Sequence, residues 1–212
     1  MTTNIIAEQT AAYLLQIKAV KLSPKAPFTW ASGIKSPIYC DNRLTLSFCD
    51  VRNYIKNSFA AIIQEKYQDI DTIAGVATGG IAHGALVADV LNKPFIYVRS
   101  SAKAHGLGNM VEGEIKKGDR ILVIEDLIST GGSSLTAIEA LRAAGADVIA
   151  LGAIFTYGFQ RAVDAFEAAN CPFFTLSNYT TTLDIAIQKG YILEDEKESL
   201  TEWYKNPSEW GK

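Results

Sequence analysis

Apolar side chains recur at Ile6, Tyr13, Leu14 and Ile17, spaced to share one face of a helix over 5–20. The next stretch, PFTWASGIKSPIYCD at 27–41, mixes aromatic and small residues about a Ser-Gly pair. It reads as two short strands around a turn. Helical spacing returns with Val51, Tyr54, Ile55, Phe59, Ile62 and Ile63, which predict a helix over 50–67. Beyond it, short unbroken apolar runs alternate with helical stretches. Strands are expected at 72–78, 94–99, 120–124, 147–155 and 172–176. Helices are expected at 81–91, 133–144 and 162–169, with Gly145 closing the second. Strands apolar throughout are buried on both faces, and alternation with helices makes them parallel. The fold class is therefore α/β, a doubly wound parallel sheet. An N-terminal addition over 1–45 precedes the core at 46–192, and a tail follows at 193–212. Ligands of such sheets bind beyond the carboxyl ends of the strands. The loops at 77–80, 99–113, 125–133 and 155–161 are thus expected around one site.

Composition narrows the partners. A chain of 212 residues, 48% hydrophobic, is long enough for one sizeable core. Its net charge of −3 lacks the basic footprint of a nucleic-acid binder. Cys40, Cys49 and Cys171 are scattered, and the two histidines, His83 and His105, fall outside any ligand spacing. Neither a zinc site nor a disulfide framework is expected, and no protein side chains are assigned to a metal. The opening MTTNIIAEQT lacks a signal peptide's charged and apolar regions, and no apolar run approaches a membrane span. A cytoplasmic chain with no nucleic-acid and no membrane partner is the expectation. His83, alone on a largely apolar helix, reads as a packing residue. Asp41 and Arg43 read as an ion pair, local or between subunits, and EDEKE at 194–198 as a solvated helix face. Trp203, Tyr204 and Trp210 are expected to pack on the body or on a partner subunit.

Candidate chemistry concentrates in RILVIEDLISTGGSS, 120–134. A buried strand runs into two acids, Glu125 and Asp126, then into a turn of Ser, Thr and Gly at the start of a helix. Gly131 and Gly132 permit backbone conformations and close approach that bulkier residues forbid. The helix start adds free N–H groups and the positive end of its dipole. Ser129, Thr130, Ser133 and Ser134 add hydroxyls. Such a cradle suits phosphate, yet it has neither the Gly-Lys-Ser/Thr of a Walker loop nor a dinucleotide fingerprint. The glycines alone fit an ordinary strand–turn–helix connection. Two acids beside an anion cradle make sense as acceptors for sugar hydroxyls, or near a divalent cation. A phosphorylated sugar is the ligand this combination describes.

VIEDLISTGGSS resembles the phosphoribosyl-pyrophosphate (PRPP) binding motif of the type I phosphoribosyltransferases. The resemblance implies that Glu125 and Asp126 hold the ribose hydroxyls. It assigns the segment Leu127, Ile128, Ser129, Thr130, Gly131, Gly132 and Ser133 to PRPP, with the turn on its 5′-phosphate. YVRSSAKAHGLGNMVEG at 97–113 resembles the catalytic loop of the orotate phosphoribosyltransferases, with Arg99, Lys103 and His105 in the family's Arg-x-x-x-Lys-x-His-Gly order. FTWASGIKSPIYCDNR at 28–43 resembles the hood segment that covers the base, and GVATGG at 75–80 the pyrophosphate-side loop. These stretches span roughly residues 5 to 190.

Membership in that family implies transfer of the phosphoribosyl group to orotate, with Mg²⁺ as cofactor. It also implies a homodimer whose catalytic loop reaches across the interface. Lys103 and Asp126 become the catalytic residues, with Arg99, Lys103 and His105 on the pyrophosphate. Ser129 is assigned to orotate. Tyr39 either stacks on the base or is a core aromatic of the hairpin. The sequence departs from the enterobacterial-type pattern at Ala31, Gly79 and Ser100, where that pattern has lysines. An arginine that pairs with orotate's carboxylate aligns with Gly158, and Arg161 lies three residues on as a substitute. Two rivals are a phosphoribosyltransferase for another base and a PRPP-sensing regulator without catalysis.

Overall fold

The computed structural model describes residues 3–30, 33–101, 110–207 and 209–210. Helix α1 (Thr3–Gln16) is followed by four short strands, β1 (Val20–Leu22), β2 (Phe28–Thr29), β3 (Lys35–Ser36) and β4 (Ile38–Cys40). The helix stops short of the expected 5–20 because Lys18 turns left-handed, at φ 59°. The freed chain becomes β1, antiparallel to β4, while β2 and β3 form a separate hairpin. The stretch 27–41 thus holds that hairpin and one more strand, whose partner lies upstream of it. A 3-10 helix, Asn42–Ser47, leads into α2 (Cys49–Lys66), which buries Val51, Ile55, Phe59, Ile62 and Ile63 as its spacing predicts.

The core continues as β5 (Thr72–Val76), α3 (Gly79–Leu91), β6 (Phe95–Val98), β7 (Val111–Glu112), β8 (Arg120–Ile128), α4 (Gly132–Ala143), β9 (Asp147–Thr156), α5 (Gln160–Ala168), β10 (Phe173–Asn178), α6 (Tyr179–Gln188) and α7 (Lys197–Lys205). Six strands form one sheet in the order β10-β9-β8-β5-β6-β7, parallel except for the short β7 at one edge. This is the expected doubly wound sheet. Side chains alternate along β8 as period two requires: Leu122 and Ile124 pack with α1, α2 and α3, Ile121 and Val123 with α4 and α5.

One boundary matters for function. The strand expected to end at 124 runs on to Ile128, because β9 continues beside it and pairs Glu125 with Ala153 and Leu127 with Phe155. Both acids therefore lie within the strand, not in the loop after it.

The tail packs on the body. Trp203 of α7 is fully buried, 5.7 Å from Trp30 and 6.0 Å from Tyr157 by ring centroids, and its Nε1 donates to the Lys35 carbonyl at 3.2 Å. Tyr204 donates its hydroxyl proton to the Gly158 carbonyl at 2.7 Å. Of the run EDEKE, Glu194, Asp195 and Glu198 are exposed, whereas Glu196 and Lys197 are half-buried and pair with Lys25 at 3.2 Å and Asp184 at 3.1 Å. Among the described residues no helix is long and apolar enough to cross a membrane.

Candidate active site

At the carboxyl edge of the sheet, the turn after β5 and the turn after β8 face each other across a cavity of about 530 Å³. Ala77, Thr78 and Gly79 form one wall. Glu125, Asp126, Leu127 and the turn 129–133 form another, and Cys40, Asp41 and Arg43 close the N-terminal side. The peptide bond between Ala77 and Thr78 is cis. Gly131, at φ 85°, ends the turn in a conformation that favours glycine and starts α4. Gly132 does not share that need: a side chain there would meet open space. Gly132 and Ser133, the first residues of α4, line the cavity, and the helix start has no side-chain cap, which leaves its free N–H groups for an anion.

The two acids occupy different environments because adjacent strand residues point to opposite faces. Glu125 is directed under α4 and is 4% exposed. Its Oε2 accepts from Ser134 Oγ at 3.2 Å and its Oε1 from the Asp126 N–H at 3.0 Å. Burial outweighs these two bonds and, with Asp126 beside it, pushes the Glu125 carboxyl well above the usual range. Asp126 is directed toward α3, half-buried, against Gly79. A Cβ on residue 79 would overlap the Asp126 carboxyl group, so the glycine where the enterobacterial-type pattern has lysine is what lets this carboxylate sit there. Asp126 and oxygens of a bound substrate fit Mg²⁺, which keeps waters and uses one or two carboxylates. Among the described residues no group of three or more metal-ligating side chains exists.

The other assigned residues fall less centrally. Ile128 does not reach the cavity: its side chain is fully buried, and its carbonyl accepts from the Tyr157 N–H and the Thr156 hydroxyl, both at 3.2 Å. Tyr39 is 40% exposed, 5.8 Å from Phe28, and does not line this cavity, although its neighbour Cys40 does. Arg161 is exposed at the start of α5, away from the lining. Arg99 directly follows β6, 3.7 Å from Glu112. Lys103 and His105, with Ala31, lie outside the described residues.

Sequence reasoning assigned no chemistry to the wall built by Cys40, Asp41 and Arg43. Arg43 grips Asp41 through two hydrogen bonds, Nε–Oδ1 at 2.7 Å and Nη2–Oδ2 at 2.9 Å, and these hold the Asp41 carboxyl below its usual range. Burial and Asp126 push the Cys40 thiol up, so it faces the cavity protonated. All three lie at the end of the hood stretch 28–43, where the sequence suggests only an ion pair between Asp41 and Arg43.

A family model for the phosphoribosyl transferase domain matches residues 51–181. The chain is 54% identical over 207 residues to an orotate phosphoribosyltransferase of Listeria innocua, covering 98% of this chain and 99% of that one. It is 54% identical over 200 residues to the enzyme of the same name from Bacteroides thetaiotaomicron, covering 94% of each. Among solved structures, the orotate phosphoribosyltransferase of Aeropyrum pernix superposes with a TM-score of 0.75 at 28% identity, over 86% of this chain and 99% of that one.

Proposed function

The chain belongs to the orotate phosphoribosyltransferases, and on that premise we propose how its residues divide the reaction. It transfers the phosphoribosyl group of PRPP to orotate, giving orotidine 5′-monophosphate and pyrophosphate in pyrimidine biosynthesis. The observation that carries the assignment of roles is the meeting of an uncapped helix start and the Asp126 carboxylate in one cavity.

The turn 129–133 and the first N–H groups of α4 hold the 5′-phosphate. Asp126 holds the ribose hydroxyls, and Glu125 braces it from below through the Asp126 N–H. The base nitrogen attacks the ribose C1 as pyrophosphate leaves, through a transition state with oxocarbenium character. No protein nucleophile is required, so the protein contributes positioning and charge. Arg99, Lys103 and His105 bind the departing pyrophosphate, with the loop that bears them supplied by the second subunit of a homodimer. Asp126, together with oxygens of PRPP, would hold Mg²⁺, which would supply charge neutralisation for the leaving group.

On the base side, Ser129 hydrogen-bonds orotate, supported by its place in the cavity lining. Tyr39 covers the ring, supported by its exposure and its neighbour Cys40. Arg161, three residues past Gly158 and outside the cavity lining, is the cation we assign to the carboxylate. The three free cysteines suit a reducing compartment, and the cytoplasm is the location we assign.

The direct test is pyrophosphate release from PRPP and Mg²⁺ with orotate, uracil, adenine and hypoxanthine supplied separately. Release with orotate alone is expected. Release with a different base alone would discard the hood assignment, and tight PRPP binding without release would favour a regulator.

A further inference from the structure

Strand β8 outruns its neighbour. β5 ends at Val76, and the last residue of β8 paired with it is Ile124. Along β8 the even-numbered carbonyls face that side. Arg120's accepts from the Asp71 N–H at 2.8 Å, and Ile124's lies so close to Gly80 that a Cβ on residue 80 would overlap it. Two residues on, the Asp126 carbonyl faces the same way with no strand opposite. Its donor comes from the 3-10 helix at the end of the N-terminal segment: Asn42 Nδ2, at 2.6 Å.

Asn42 is 1% exposed and is itself held on two further sides. Its Oδ1 accepts from Cys40 Sγ at 3.3 Å, and its backbone carbonyl accepts from the Thr45 hydroxyl at 2.5 Å. A hydroxyl has one proton, and Thr45 spends it on Asn42. The Thr45 oxygen therefore meets His83 Nε2, 3.2 Å away, as an acceptor. That places a proton on His83 Nε2. Burial, which holds the His83 pKa down to about 4, makes the ring neutral at ordinary pH. His83, expected only to pack, thus braces the loop that supports Asp126. Asn42 does not line the cavity, so any effect it has on substrate passes through another group.

We propose that Asn42 is a positioning residue for Asp126. Its carboxamide replaces the missing strand, and Thr45 and His83 lock it so that the backbone carrying the carboxylate cannot swing. The proposal rests on the reading of Asp126 as the ribose-binding group. The test compares Asn42→Leu, Asp126→Asn and the double variant in steady-state kinetics, varying PRPP and orotate in turn. Asn42→Leu is expected to lower kcat/KM for PRPP by about 10- to 100-fold, the cost of a small misplacement. The KM for orotate should be unchanged. Adding Asn42→Leu to Asp126→Asn should cost nothing more, because both act through one carboxylate. Additive losses, or wild-type PRPP kinetics in Asn42→Leu beside an impaired Asp126→Asn, would overturn the positioning role. Wild-type kinetics in Asp126→Asn would instead remove the ribose assignment, and the proposal with it. If Asn42→Leu does not fold, His83→Gln and His83→Met decide. Gln presents an N–H near the place of Nε2 and should retain PRPP kinetics that Met loses. Equal behaviour of the two would sink the relay.

Discussion

Glu125 and Asp126 are neighbours whose protons behave differently. The raised Glu125 pKa means that the folded chain keeps a proton which the unfolded chain releases above about pH 4.3. Stability on this account falls as pH rises from there toward the folded pKa. Glu125→Gln removes the penalty. In thermal melts, the variant should gain on the wild type between pH 5 and pH 8 by about 2–4 °C for each ~1 kcal/mol relieved. A Tm difference that stays flat with pH would show that Glu125 is ionised when folded. The same substitution keeps an acceptor for the Asp126 N–H, so turnover near that of the wild type is expected from it.

At the scale of elements, the N-terminal hairpin and α7 depend on each other. β2 and β3 have two residues each and no sheet neighbours beyond one another, so they cannot persist alone. What holds them is the aromatic group of Trp30, Tyr157 and Trp203, together with the indole N–H bond to Lys35. Trp203→Ala should cost about 3–5 kcal/mol in urea unfolding, as for other fully buried large side chains. A loss below about 1 kcal/mol would mean that the tail is not part of the core. This dependence also marks where the sequence stops being informative. The five parallel strands of the core were legible because each carries an unbroken apolar run, and most core helices because each carries a clear face. β1, β7 and the hairpin were harder because two or three residues carry no period. α6 was hidden by its Thr180, Thr181 and Thr182, which favour strands locally. Asp126 was visible from its motif. Asn42 was not, because its role depends on where β5 happens to end.

For the whole molecule, the loop bearing Lys103 decides whether one chain is a complete enzyme. Lys103→Ala alone should lower kcat by about 10²–10³-fold, the usual cost of a removed charge stabiliser. If the loop serves the second subunit, mixing Lys103→Ala chains with Asp126→Asn chains and letting the subunits exchange restores activity. Random pairing gives one intact site in each mixed dimer, or about a quarter of all sites. Activity that stays at the level of the separate variants after exchange would place the loop in its own subunit's site. The bond from Trp203 to Lys35 joins residues 168 positions apart. A ribosome adding about 5–20 residues each second needs on the order of ten seconds to cover that distance. The hairpin emerges early and waits, unanchored, until α7 leaves the exit tunnel. A nascent chain stalled before Trp203 would hold a finished phosphate cradle under an unfastened roof, and the hairpin is fastened only once α7 has been made.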